Sequence, residues 1–201
     1  VRNPEDAGKQ VRFRSIKLQT QNLKPSPFDE SFVVNLLANT ISDQEKKNGY
    51  TLLWDGRTPS GWRAPYATEF PSHVWEIKDG TLTVKPQPAG SKHSDIVTEK
   101  EFSAFDLQFE FKLTPGANSG VKYFVVEQEK LKGAVIGLEY QVLDDEKHPD
   151  AKQGAAGNRT QGSLYDLIPA IQNNRGKHKV GEWNWGRIVV FPDKRVEHWL
   201  N

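Results

Sequence analysis

Phe105-Asp106-Leu107-Gln108-Phe109-Glu110-Phe111-Lys112-Leu113 carries an apolar residue at every odd position and a polar one at every even position. A period of two sustained over nine residues marks a strand with one face in a core and the other turned away from it. Shorter runs of the same kind recur: Val11 to Leu18, Tyr50 to Trp54, Val74 to Ile77 with Thr81 to Val84, Asp95 to Thr98, Ser119 to Val126, Ala134 to Leu143, Trp183 to Phe191 and Val196 to Leu200. Gly, Pro, Asn and Asp bound these runs, and helical periodicity is scarce. The expected fold is all-β, a two-sheet sandwich or jelly roll with one or two short peripheral helices. Lys78-Asp79-Gly80 supplies the positive φ angles of a tight hairpin between two of the runs. Ser42-Asp43-Gln44-Glu45 is a capping box and Gly49 is placed to end the short helix it opens, while Ser31 to Asn39 is a second candidate.

Composition narrows the function classes. Across 201 residues, 27 Lys+Arg face 26 Asp+Glu, a formal charge of +1, so the basic excess expected of a nucleic-acid protein is missing. No apolar run approaches the roughly 20 residues of a membrane-spanning helix. Zero Cys excludes a disulfide framework, a zinc-thiolate site and a Cys nucleophile.

The polar positions of the strands are the candidate site. Alternation puts Gln108, Glu110 and Lys112 on one face of their strand, Glu139 and Gln141 on the face opposite Leu138, Tyr140 and Val142, and Lys122 on the polar side of its own run. Were these strands neighbours, their polar faces would merge into a surface able to hold a sugar; each taken alone is an ordinary solvated face. Asp144-Asp145-Glu146-Lys147-His148-Pro149-Asp150 gathers four carboxylates and an imidazole. Such clusters suit a divalent cation, with Asp144 and Asp145 as candidate ligands, but the spacing matches neither an EF-hand nor a zincin, and an acidic solvated turn is the plain alternative. Asp144 to Gln161 is also long and polar for a loop within a domain. His93 is a weaker candidate than His148, and His73, His178 and His198 read as structural. The six Trp residues could stack on sugar rings but sit mostly in strand runs, where core roles prevail.

Leu53-Trp54-Asp55-Gly56, Ser60-Gly61-Trp62, Trp75-Glu76-Ile77-Lys78-Asp79-Gly80, Asp95-Ile96-Val97-Thr98, Thr114-Pro115-Gly116-Ala117-Asn118-Ser119-Gly120, Glu139-Tyr140-Gln141-Val142-Leu143-Asp144-Asp145, Gly162-Ser163-Leu164-Tyr165-Asp166 and Gly181-Glu182-Trp183-Asn184, in this order over residues 41–201, resemble the 3-keto-disaccharide hydrolase domain family. The resemblance implies a concanavalin-like jelly roll, a glycosyl hydrolase acting on a carbohydrate substrate, and a periplasmic or cell-surface home in a bacterium. His93-Ser94-Asp95-Ile96 departs from the family's usual Gly-Gly-Asp-Ile, and a His there does not allow the close backbone approach that a glycine does.

The residues constrain the mechanism as well. Alternate positions after Glu139 hold Gln141 and Leu143, so the pair of carboxylates that a retaining glycosidase places roughly 5–5.5 Å apart is missing from that strand. With a sugar already oxidised at C3, the ketone acidifies the C2 proton, and the C1 substituent can leave by elimination before water adds back. That route needs one base, an enolate stabiliser and an acid. Glu139 or His148 is read as the base, and Lys122 or a cation held near Asp144 and Asp145 as the stabiliser. Asn118, Gln141, Arg159 and Tyr165 are read as sugar-orienting groups, with Glu110 and Asp95 on the same binding surface. The rival is a carbohydrate-binding module that uses the same face without turnover.

The ends carry a further expectation. Family members continue past a stretch like Val196-Glu197-His198-Trp199-Leu200-Asn201 to a closing strand resembling Val-x-Phe-Arg-x-Ile, and here that pattern stands at Val11-Arg12-Phe13-Arg14-Ser15-Ile16. Residues 1–18 therefore read as such a strand, 19–40 as a Pro-containing linker that can carry a short helix, and 41–201 as the jelly-roll domain without its last part. The strand is the tail of an upstream repeat, or it fills the vacant slot of a domain that is a piece or a permuted form, within the chain or by strand exchange in a homo-oligomer; an unrelated exposed strand is the plain alternative.

Overall fold

The computed structural model describes residues 9–25, 35–85, 94–127, 135–171 and 179–201. His93, His178 and part of the expected helix at 31–39 lie outside them. The alternating run that opens the sequence argument is β7 (Phe105–Leu113), and it lies inside a seven-stranded antiparallel sheet. Across that sheet the order is β11 (Val196–Leu200), β10 (Asn184–Val190), β7, β1 (Val11–Gln19), β5 (Thr81–Val84) and β4 (Trp75–Lys78), with β2 (Thr51–Leu52) also pairing with β1. Asp79 and Gly80 both have positive φ, 51° and 68°, and close the β4–β5 hairpin as Asp-Gly predicts. Ser42 caps α1 (Asp43–Lys47) with both capping-box hydrogen bonds made, and Gly49 follows at φ 93°.

β1 is the strand that completes the sheet. It hydrogen-bonds β7 along one edge and β5 and β2 along the other. Arg14 pairs with Glu110 but Lys17 with Gln108, so β1 spends one residue more than its partner, a β-bulge with Ser15 at φ 51°. The bulge switches the parity of the strand: Val11 and Phe13 face the core before it, Ile16 and Leu18 after it. Asn39 satisfies the backbone that the bulge frees, its Oδ1 accepting from the Ser15 N–H at 2.8 Å and its own N–H donating to Ser15 Oγ at 3.1 Å.

The second layer is the antiparallel pair β8 (Asn118–Val126) and β9 (Ile136–Leu143). Val121, Tyr123, Leu138, Tyr140 and Val142 face the large sheet, where Tyr140 meets Phe109 edge to face at 5.5 Å. Phe109 lies over Gly186 of β10, where an added Cβ would come within 2.5 Å of the ring. Between the layers His198 donates from Nδ1 to the Gly162 carbonyl at 3.1 Å and accepts from the Tyr123 hydroxyl at 3.0 Å, a structural role that burial supports by depressing its pKa. A short pair, β3 (Trp62–Arg63) and β6 (Val97–Thr98), was not legible as alternation in the case of β3. It is tied to the end of β8 by a two-pronged Arg63–Glu127 ion pair at 2.8 and 3.0 Å. The architecture is a two-sheet β sandwich.

This layering overturns the expected merging of the strand faces. β7 and β9 belong to opposite layers with their apolar faces together, so Gln108, Glu110 and Lys112 point away from Lys122, Glu139 and Gln141. Glu110 instead holds Arg14 through two hydrogen bonds at 3.0 and 3.1 Å, and Arg14 stacks on Trp183. On the same outer face Asp106 takes a two-pronged bond from buried Arg187 and one from the Tyr50 hydroxyl at 2.7 Å.

Val11, Phe13, Ile16 and Leu18 are buried, each worth roughly 1.5–3 kcal/mol, and together they rival a whole domain's stability of about 5–15 kcal/mol. Deleting residues 1–20 is therefore expected to leave insoluble protein on expression, and Phe13→Ala to cost about 3–5 kcal/mol in urea denaturation; a soluble deletion with the far-UV spectrum of the parent would show that the sheet closes without β1.

Candidate active site

Pairing along β8 and β9 decides which side chains meet on the face away from the core. Lys122 stands directly opposite Glu139, Gly120 opposite Gln141, and Asn118 opposite Leu143. Residues 162–165 extend β9 on its other edge. The Tyr165 N–H donates to the Glu139 carbonyl at 2.9 Å, the Gln141 N–H to the Ser163 carbonyl at 3.1 Å, and Leu164 bridges Tyr140. Leu164 packs on the core with Tyr140, so the next residue, Tyr165, turns to the face that carries Glu139. A row Lys122–Glu139–Tyr165 thus crosses three adjacent segments.

Glu139 leans over Gly120, where a built Cβ would fall 1.8 Å from its Oε1. A glycine inside a strand often marks a close approach, and here it makes room for a carboxylate. Among the described residues the Glu139 carboxylate has no hydrogen-bond or ion-pair partner within bonding distance. Burial pushes its pKa above the ordinary 4.5; the Lys122 charge pulls the other way, and Asp95 and Asp150 push it further up. Lys122 is held in place by Asp95 Oδ2 at 3.1 Å and the Val135 carbonyl at 3.2 Å, and its side chain keeps 23% exposure. Asp95 Oδ2 also accepts from the Val135 N–H at 3.3 Å.

At the other end of the row, Tyr165 donates its hydroxyl proton to Asp150 Oδ2 at 2.9 Å, and Arg159 donates to Asp150 Oδ1 and to Asp166 Oδ1, both at 2.8 Å. The Arg159 guanidinium lies 5.4 Å from the Tyr165 ring centre. Both aspartates raise the Arg159 pKa, and Arg159 lowers that of Asp166. Asp150 was visible in the sequence only as one carboxylate among four, and Gly120 only as part of Asn118-Ser119-Gly120.

Of the residues expected to carry chemistry, Glu139, Lys122, Asp95, Tyr165 and Arg159 gather here, with Asn118 two residues along β8 from Gly120. His148 and Gln141 do not reach outward: each is only 1% exposed. His148 Nδ1 accepts the Asp150 N–H at 3.2 Å and caps the 3₁₀ turn Pro149–Lys152, while Gln141 donates to Asn118 Oδ1 at 3.4 Å. Asp144, equally buried, accepts from the backbone N–H groups of Gly116, Glu146 and Lys147, and Asp145 from that of Gln161. These two carboxylates order the 144–161 loop through backbone N–H groups. No group of three or more His, Cys, Asp or Glu suited to holding a metal occurs among the described residues.

Three comparisons bear on the chain. Residues 49–201 match the family model of the 3-keto-alpha-glucoside-1,2-lyase-like domain. Over 157 residues the chain is 36% identical to a 3-keto-disaccharide hydrolase of Bacteroides thetaiotaomicron, covering 72% of this chain and 53% of that protein, so it spans about half the length of this curated relative. A solved structure of a "putative glycosyl hydrolase" from Parabacteroides distasonis superposes with a TM-score of 0.67 at 30% identity, over 81% of this chain and 73% of that one.

A carboxyl whose folded pKa exceeds its unfolded value favours folding most below 4.5 and loses that contribution as pH rises through the folded pKa. Glu139→Gln is therefore expected to raise Tm near neutrality, by about 2–4 °C for each kcal/mol of relieved desolvation, and to lose the advantage below pH 4.5. Thermal melts of both proteins across that range check it; a variant less stable than the parent near neutrality would contradict the raised pKa.

Proposed function

The chain belongs to the 3-keto-alpha-glucoside-1,2-lyase-like domain family, and on that premise we propose that the Lys122–Glu139–Tyr165 row cleaves the glycosidic bond of 3-keto-glycosides. Glycosidase-type function is what its relatives' names share. One observation carries the finer reading: Glu139 is a carboxylate with a raised pKa and no bonded partner among the described residues, lying over a glycine and beside an ammonium group. A general base poised nearer neutrality than an ordinary carboxylate suits removal of a proton made acidic by an adjacent ketone.

In this mechanism Glu139 takes the C2 proton and the C–H electrons move into an enolate whose negative charge rests on the C3 oxygen. Lys122, anchored by Asp95, stabilises that oxygen. The enolate then re-forms the ketone as the C1–O bond breaks, and the aglycone departs with a proton taken from solvent. Water adds its oxygen to C1 and releases its spare proton to solvent, replacing the one the aglycone took, while C2 regains a proton from Glu139, so the net change is hydrolysis. Asn118, Tyr165 and Arg159 orient the ring. Gln141 supports Asn118 from below.

Incubation with a 3-keto-disaccharide is expected to release monosaccharide, while the unoxidised disaccharide stays intact. Glu139→Gln should lower turnover by roughly 10²–10⁴-fold, the usual worth of a positioned base. Equal hydrolysis of the unoxidised sugar would rule out elimination, and binding without release would make the chain a carbohydrate-binding module.

A further inference from the structure

Asp150 is buried at 8% exposure, and both of its oxygens are committed to groups of the candidate site. A phenol has one proton. Tyr165 gives that proton to Asp150 Oδ2, which leaves only lone pairs on its oxygen for any other partner. The carboxylate cannot donate in return, and the Arg159 N–H on Oδ1 with a second bond to Asp166 fixes its orientation. Tyr165 in turn is locked to β9 through its backbone bond to Glu139.

We propose that Asp150 is a positioning residue that makes the Tyr165 oxygen an obligate hydrogen-bond acceptor beside Glu139, and so selects a glycone bearing a free ring hydroxyl at the point that oxygen faces. The inference rests on the glycosidase reading above for its substrate and on the bond network alone for its geometry. The same burial and hydrogen bond push the Tyr165 pKa up to about 12, so the phenol stays protonated with its proton directed at Asp150. Asp150 also acts on Glu139 through space. Among the described residues the charged groups that act on that carboxylate are Lys122 from β8, Asp95 ahead of β6 and Asp150 from the 3₁₀ turn, and Tyr165 of the added segment is bonded to Glu139 through its backbone.

The test has one arm that needs no turnover. With ¹³C-labelled glutamate, the Glu139 carboxyl, assigned by its loss in Glu139→Gln, is titrated by NMR in the parent, Asp150→Asn and Asp150→Glu. Removing the negative charge should lower the Glu139 midpoint in Asp150→Asn and Asp150→Glu should restore it; no change overturns the electrostatic part. In the second arm p-nitrophenyl 3-keto-α-glucoside and its monodeoxy analogues are compared. One analogue should lose roughly ten- to a hundredfold in kcat/KM with the parent and nothing further with Tyr165→Phe, because the acceptor is already gone. Asp150→Asn should shrink that discrimination, since an amide can donate to the phenol oxygen and free its proton. Discrimination unchanged in both variants overturns the proposal. If Asp150→Asn fails to fold, Tyr165→Phe against the analogue series decides alone. Absence of turnover by the parent would refute the glycosidase reading and leave the NMR arm to judge the role of Asp150.

Discussion

β1 is hydrogen-bonded along both edges, and neither β5 nor β7 has another partner on the side that β1 fills. Its register therefore sets the separation of the β4–β5 hairpin from the β7–β10–β11 block. The bulge at Ser15 is what lets one strand serve both ends of the core, because without the extra residue Ile16 and Leu18 would turn to the outer face and Lys17 inward. Asn39 secures that arrangement at three points, since beyond its two bonds to Ser15 it donates to the Gly80 carbonyl at 2.9 Å. The large sheet that results gives β8 and β9 an apolar surface to lie on, and the candidate site is the far side of that second layer.

The two polar faces of the sandwich use their charges differently. On the outer face of the large sheet three carriers of charge are matched: Asp106 by Arg187, Glu110 by Arg14, and buried Lys17 by Glu45. Matched pairs of this kind avoid the large cost of a lone buried charge, and they leave nothing for a ligand. On the β8–β9 face Asp95 steadies Lys122 and Asp150 steadies Tyr165 and Arg159, while Glu139 between them has no bonded partner among the described residues. A carboxylate kept without a partner is a local cost in stability, and such costs gather where a protein does chemistry.

The loop from Asp144 to Gln161 supports this face by spending its own polar groups on itself. The Asp144 oxygens gather three backbone N–H groups, and Gln161 reaches back to the Leu143 N–H with its Oε1 and to the Gln141 carbonyl with its Nε2. His148 and Asp150 follow in the same turn, one facing inward as a cap and the other outward to Tyr165. A dense run of acids and an imidazole thus works as scaffold, and its single contribution to the site comes from the residue at its end.

Alternation and turn chemistry determined most of the strands, the Asp-Gly hairpin and the Ser42 cap, because these depend on residues close in the chain; the burial of Ile16 and Leu18 together with Val11 and Phe13 was decided by the bulge at Ser15. They also put Lys122, Glu139 and Tyr165 forward, since parity within a strand and a resemblance in the 162–166 block are both local properties. Which strands became neighbours was decided only in three dimensions: nothing in the alternation of β7 says that its polar face turns away from that of β9, so Glu110 could not be separated from Glu139 by pattern alone. The same holds for His148, Gln141, Asp144 and Asp145, whose side chains are polar enough to bind a ligand but were claimed by backbone groups and by Asn118. Residue type states what a side chain can bond; the packing of distant segments decides which of those bonds are already taken, and that left Glu139 open while closing the others.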